Sequence, residues 1–228
     1  METNWVNLAV SDGTTMAAFT VQPDAPSRRG VLVLQEAFGV NGYIQDVAQR
    51  LAKLGYRAIA PDLFHRSVER FQGDYADFRP ALGYMKAMNY ESTAADVRAC
   101  HDWLASQAAT EVGAIGFCMG GRVAMLAAQV LPLQAAVSFY GGNLLSLREH
   151  VAETQAPVLL VWGDRDEHIP REQRAEFAGL LRAAHKSFVE CTFGDAGHAF
   201  FNNERSSGYV PEAARLAWPL ATAFLSRG

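Results

Sequence analysis

Gly116-Phe117-Cys118-Met119-Gly120-Gly121 is the stretch on which the reading of this chain turns. An apolar run, residues 112–115, precedes it, and a helical pattern, residues 122–130, follows. Strand, sharp turn, helix is the setting in which G-x-C-x-G forms a nucleophile elbow, here with cysteine in the place usually held by serine. A residue at such a turn holds a strained backbone and needs small neighbours, which Gly116, Gly120 and Gly121 supply. The turn lifts the side chain above the sheet edge and sets it at a helix N-terminus. Unpaired N–H groups and the helix dipole there favour a thiolate. The plainer reading, a glycine turn around a buried structural cysteine, ranks below this one because the flanking strand and helix patterns are both present.

Around that stretch, the totals describe a globular domain. The 228 residues suit one α/β domain, residues 1–228, with a full core. Hydrophobic residues at 50% and charged residues at 19% exclude a disordered chain. The net charge is -4 and the basic residues are scattered, so no nucleic-acid footprint is present. The cysteines, Cys100, Cys118 and Cys191, are odd in number and far apart, which argues against a disulfide framework and for a reducing compartment. The first residues lack a basic and apolar leader pattern, and no apolar run reaches membrane-spanning length. A cytoplasmic protein without a membrane partner is expected.

Before the elbow, residues 5–10 and 14–21 are strand-like around Ser11-Asp12-Gly13, a hairpin signal. Residues 30–35 form a continuous apolar run, as a central parallel strand does. Residues 43–54 follow as a helix with Ile44, Val47, Ala48, Leu51 and Leu54 at near-helical spacing, closed by Gly55. Residues 56–60 are the next strand. Residues 62–89 are the longest irregular stretch and carry Phe64, Phe71, Tyr75, Phe78 and Tyr84. Such a connection is either a lid or pocket wall, or a surface excursion packed by its own aromatics. Ser92 or Thr93 is the expected cap of a helix running to Gln107, with Cys100 on its apolar face as a core residue. After the elbow helix come strands at 133–139, 157–162 and 187–193, with helices at 171–184 and from Pro211 to about Leu225. Strands alternate with helices after the opening hairpin. The expectation is an α/β fold: a mostly parallel central sheet, an N-terminal hairpin and helices on both faces.

In an open α/β sheet, ligands gather beyond the carboxyl ends of the strands. Four loops deliver polar residues there: Glu36, Cys118, Asp166 and His198. Cysteine needs a base or a positive neighbour to become a thiolate at neutral pH. His198 can take that proton and return it to a leaving alkoxide. Asp166 can hold the other ring nitrogen and stabilise the imidazolium. The backbone N–H groups of Met119 and Ala37 are the candidate oxyanion donors, each typically worth ~3 kcal/mol of barrier. Among the rivals, His65, His101, His150 and His185 lie in the irregular stretch or on expected helices. His168 lies at the expected start of a helix. Asp164 reads as a turn former, and Asp195 sits close to His198 in sequence. Asp166 followed by Pro170 fits G-x-x-D-x-x-x-P, an acid-bearing loop pattern. Glu36 stands in a loop that directly follows a central strand, although an ordinary loop carboxylate would look the same.

Taken together, these segments resemble the dienelactone hydrolase family, from about Gly30 to the C-terminus. The matching parts are Gln35-Glu36-Ala37-Phe38-Gly39-Val40, Ala60-Pro61-Asp62-Leu63, the elbow, residues 163–170 and Gly197-His198-Ala199-Phe200. The resemblance implies a single-domain α/β-hydrolase with chain order Cys, Asp, His, needing neither metal nor cofactor. It implies a carboxylic-ester hydrolase of carboxymethylenebutenolidase type, opening enol lactones of aromatic degradation to maleylacetate-type products. It implies a Cys118, Asp166, His198 triad, and a Glu36 that accepts the thiol's hydrogen bond at rest and releases it on substrate binding. Founding members of the family hold the lactone carboxylate with two arginines. One position is Asn202 here, with Arg205 three residues on. For the other, Arg79 is the candidate, and Tyr84 lies nearby to line the pocket. The expected partner is a small ester or lactone, bound by a monomer or small homo-oligomer. The alternatives are a general small-ester hydrolase of the same fold, a redox sensor using Cys118, or a purely structural module, which leaves the glycine elbow unexplained.

Overall fold

The computed structural model describes residues 1–227. It divides into two compact units, one of residues Met1–Gly113 and one from Ala114 onward. In the first, β1 (Glu2–Ala9) and β2 (Thr15–Gln22) form the expected hairpin, with Trp5 opposite Phe19. Asp12 closes its turn by accepting the N–H and hydroxyl of Thr14. β2 pairs antiparallel with β4 (Arg57–Pro61), and β4 pairs parallel with β3 (Arg29–Leu34), giving the order β1-β2-β4-β3. β3 is buried almost throughout, as its unbroken apolar run requires. Between β3 and β4 lies α1 (Gly42–Lys53), capped by Asn41, whose side chain accepts the Ile44 N–H. Ile44, Val47, Ala48 and Leu51 are buried as expected. Leu54 is not: it is the C-cap and is exposed, because the helix stops one residue short of completing that face.

Two expectations are corrected in residues 62–106. The stretch 62–89 contains a helix, α2 (Arg79–Ala87), with Pro80 in its first turn. It has no side-chain cap and buries only Ala81, so it lacks the amphipathic stripe that sequence reading detects. The aromatics of this excursion pack on one another: Tyr84 lies 5.5 Å from Phe64 and 5.0 Å from Phe71 between ring centroids. The next helix, α3 (Tyr90–Ser106), starts at Asn89, not at Ser92 or Thr93. The Asn89 carboxamide oxygen accepts the Ser92 N–H at 2.8 Å, a role for which asparagine ranks with serine. Cys100 is fully buried on α3, and burial pushes its thiol well up. His65 is structural too, its ring bound to the buried Asp96.

In the second unit every strand pair is parallel. β5 (Glu111–Phe117), β6 (Ala136–Phe139), β7 (Val158–Gly163) and β8 (Phe188–Phe193) lie in that order. The helices are α4 (Met119–Val130), α5 (Arg171–Ala183) and α6 (Pro211–Leu225). β6 is shorter than expected, and a 3-10 segment, Leu144–Glu153, occupies ground that carried no helical pattern. The register matters most. Phe117 stands opposite Phe139, Phe139 opposite Val161, and Gly163 opposite Phe193. Four parallel strands therefore end at nearly one level, and the loops after β5, β7 and β8 emerge at one edge. Among the described residues, no helix is long and apolar enough to cross a membrane.

Candidate active site

Cys118 follows the last residue of β5 and caps α4, with φ 55° and ψ -116°. A non-glycine residue at positive φ is strained and persists only where its surroundings hold it. They do so through three backbone bonds. The Cys118 N–H donates to Phe139 O at 3.0 Å, and its carbonyl accepts from Gly121 at 3.0 Å and Gly142 at 3.3 Å. Gly116 is dictated by close approach: a Cβ there would lie 1.9 Å from the Gly120 carbonyl oxygen. Cys118 is half-buried and free. Met119, next in the chain, occupies the first helical position, where the backbone N–H has no partner within the helix.

The loops after β7 and β8 meet. Gly163 ends β7, and a Cβ on it would lie 2.6 Å from the carbonyl oxygens of both Ala196 and Gly197. This close packing brings His198 to Asp166. His198 Nδ1 lies 2.8 Å from Asp166 Oδ2, and with a carboxylate as acceptor the Nδ1–H is the donor. The other carboxylate oxygen, Oδ1, accepts the His168 N–H at 2.9 Å. The Asp166 side chain is 1% exposed, so the bond is shielded from water. Both rival carboxylates are engaged elsewhere: Asp164 pairs with Arg171, and Asp195 with Arg165 at 2.7 Å. Burial of the His198 ring pulls its pKa down. The negative charge of Cys118 and the bond to Asp166 outweigh it and push the ring up to about 10. Tyr140 packs on it with ring centroids 5.2 Å apart.

The remaining expected residues lie as follows. In the first unit, Glu36 and Ala37 are buried in the loop after β3. Arg79 is exposed and donates to both oxygens of Asp77, while Tyr84 belongs to the aromatic cluster with Phe64 and Phe71. In the second unit, Asn202 is fully buried, its carboxamide oxygen accepting from the Glu204 N–H. The Arg205 side chain is half-buried, and its backbone N–H donates to Asn202 O at 3.1 Å. Sequence reading passed over two residues. His168 sits in the turn before α5, not on it, and its ring stands edge-on to His198 at 5.1 Å. Arg122, four residues past Cys118 on α4, is half-buried; burial lowers its pKa and the charge of Cys118 raises it. Its spacing from the elbow was the available signal.

A positive-φ cysteine at a strand-to-helix turn, above parallel strands and in one unit with a histidine–carboxylate pair, defines the class: an α/β-hydrolase-like fold with mostly parallel strands. The comparisons give the family. A family model described as "Dienelactone hydrolase family" matches residues 16–227. A Salmonella typhimurium protein provisionally assigned as a carboxymethylenebutenolidase is 36% identical, with 91% of this chain and 81% of that protein covered. The carboxymethylenebutenolidase of Pseudomonas putida is 30% identical, with 95% and 93% covered. A Klebsiella pneumoniae crystal structure, provisionally assigned as a dienelactone hydrolase, superposes with a TM-score of 0.87 at 30% identity, covering 100% of both chains. This chain belongs to the dienelactone hydrolase family, and it is a hydrolase of the ester and lactone class.

Proposed function

We propose that the chain opens enol lactones or cleaves related small carboxylic esters through a thioester on Cys118, with His198 and Asp166 completing the triad. The observation that carries this reading is the 2.8 Å bond between His198 Nδ1 and the buried Asp166 carboxylate, in the same unit as the positive-φ Cys118. His198 takes the thiol proton, so the attacking nucleophile is the thiolate. Sγ attacks the carbonyl carbon, and the C=O electron pair moves onto oxygen. The oxyanion then collapses, the C–O bond breaks, and the leaving oxygen takes the proton from His198. Neutral His198 next takes a proton from water, whose oxygen attacks the thioester carbon. Collapse expels the Cys118 thiolate and frees the acid, leaving His198 charged again. Asp166 keeps the Nδ1 proton in place throughout. The same reading gives the oxyanion to the Met119 and Ala37 N–H groups and the gating of the thiol to Glu36, on the strength of the family resemblance. The family match across residues 16–227 supports treating the chain as one catalytic domain.

The test is steady-state hydrolysis of a cis-dienelactone and of p-nitrophenyl acetate, with wild type and Cys118→Ala side by side. Fast dienelactone turnover that vanishes in the variant supports both mechanism and substrate, with a maleylacetate-type product. Turnover of the simple ester alone keeps the mechanism and gives the protein a different substrate. Activity unaffected by the substitution overturns the nucleophile assignment.

A further inference from the structure

His168 is exposed, yet its ring has a single partner. Among the described residues that ring makes no hydrogen bond or ion pair, and its one ring contact is with His198, edge-on at 88° with centroids 5.1 Å apart. The backbone explains how it gets there. Asp166 Oδ1 accepts the N–H of His168, two residues on, at 2.9 Å, a turn that aspartate side chains favour. Ile169, next in the chain, is buried, and Pro170 caps α5. The same carboxylate holds His198 through its other oxygen at 2.8 Å. One acid therefore places both rings.

A hydrogen bond at Nδ1 fixes one point of the His198 ring but not its plane, because the torsion that turns an imidazole has a broad minimum. The plane is set by what stands against the ring. Two rings do so: fully buried Tyr140 at 5.2 Å and 60°, and His168 at 5.1 Å and 88°. Tyr140 is itself packed against Phe117, Phe139 and Phe200, so His168 is the exposed and separable half of the pair. The chemistry needs a fixed plane. With Nδ1 committed to Asp166, Nε2 alone must hand a proton to the leaving oxygen and then take one from water, and misalignment slows both. We infer that His168 is a positioning residue: its ring, folded back by the Asp166 turn, holds the plane of His198 so that Nε2 keeps one direction through both proton transfers. The consequence for turnover rests on the function proposed above; the holding of the ring does not.

The experiment compares wild type with His168→Ala, which removes the ring, and His168→Phe, which keeps an aromatic edge without ring nitrogens. Both variants keep the backbone N–H that Asp166 accepts, and the replaced ring is exposed, so the turn itself is left in place. The first arm needs no turnover. Exchange of the His198 Nδ1 proton with water is followed by NMR in protein with isotope-labelled histidine. It should quicken about three- to tenfold in His168→Ala, as expected for loss of an edge-on aromatic pair, and stay within about twofold of wild type in His168→Phe. The same rate in all three proteins overturns the inference. So does exchange in His168→Phe as fast as in His168→Ala, because His168 would then act through its nitrogens. A proton already too fast to observe in wild type also overturns it, because the ring is then not held. The second arm follows decay of the acetyl-Cys118 enzyme formed from p-nitrophenyl acetate, by mass spectrometry after rapid quenching. Decay slowed by a similar factor in His168→Ala and restored in His168→Phe supports the full statement. Equal decay in all three overturns the consequence for turnover and leaves the hydrolase reading standing. An acetyl-enzyme that never forms in wild type, with the exchange rates shifted as stated, supports the held ring and counts against the thioester reading instead.

Discussion

Two aromatic-rich regions of this protein are built on different principles. Under the elbow, Phe117 and Phe139 sit in neighbouring strands, stack at 5.1 Å and are fully buried with Tyr140 and Phe200. Their places are set by the parallel ladder of β5, β6 and β7, which repeats its spacing residue by residue. In residues 62–89, Phe64, Phe71 and Tyr84 also cluster, but outside any strand. Apart from α2, with its single buried residue, that stretch is held by ring contacts, turns, the bonds of His65 and Arg66 to Asp96 and one isolated bridge, Gly39 with Gln72, and by no strand ladder. The ladder can hold a strained cysteine and a short carboxylate–imidazole bond in register. The excursion offers packing without that precision, as segments with few backbone ladders generally do.

The sharpest way to break this comparison is to remove one polar group from each region. Asp166→Asn should leave the fold intact and lower kcat by about 1,000-fold or more, because the imidazole loses its orienting charge. Tyr84→Ala should change kcat/KM by less than about tenfold, within what a lost packing contact does. A loss in Tyr84→Ala as large as that in Asp166→Asn, measured on the same ester, would bring the excursion into the chemistry and end the distinction.

The same substitution should also have opposite signs in the two regions. Gly116→Ala drives a methyl group into the Gly120 carbonyl and should cost about 3 kcal/mol or more, read by urea unfolding. Gly83→Ala lies in α2 with nothing near its Cβ position, and should stabilise by about 0.5–1 kcal/mol through helix propensity. A destabilised Gly83→Ala would mean that α2 carries constraints its exposure does not suggest.

A titration sharpens the electrostatic side. His198 is held near pKa 10 by the charge of Cys118 and by Asp166, against burial. In Cys118→Ala the first raising influence is gone while burial, which favours the neutral ring, persists. Ring-proton NMR should then find His198 titrating at lower pH than in wild type. An unmoved titration would show that Asp166 alone sustains the charge.

Legibility followed the same division. The elbow, the strands around it and α6 were readable because each carries a local signature: small residues at a forced turn, unbroken apolar runs, proline at a first helical turn. Asp166 and His198 were singled out by their place after strands. α2 escaped because it buries one residue and has no side-chain cap. The start of α3 was misplaced because Asn89, Ser92 and Thr93 are all chemically able to cap, and only the backbone path selects one. Arg122 escaped because an arginine early in a helix looks solvent-facing until its surroundings are known.

By itself the sequence determined the α/β alternation, the family and the types of groups available for chemistry, since these depend on local pattern and residue identity. The tertiary structure alone decided which carboxylate holds the histidine, how far the ring pKa rises and which rings stand against it. Those depend on strand register, burial and distance between residues far apart in the chain, which no local pattern encodes.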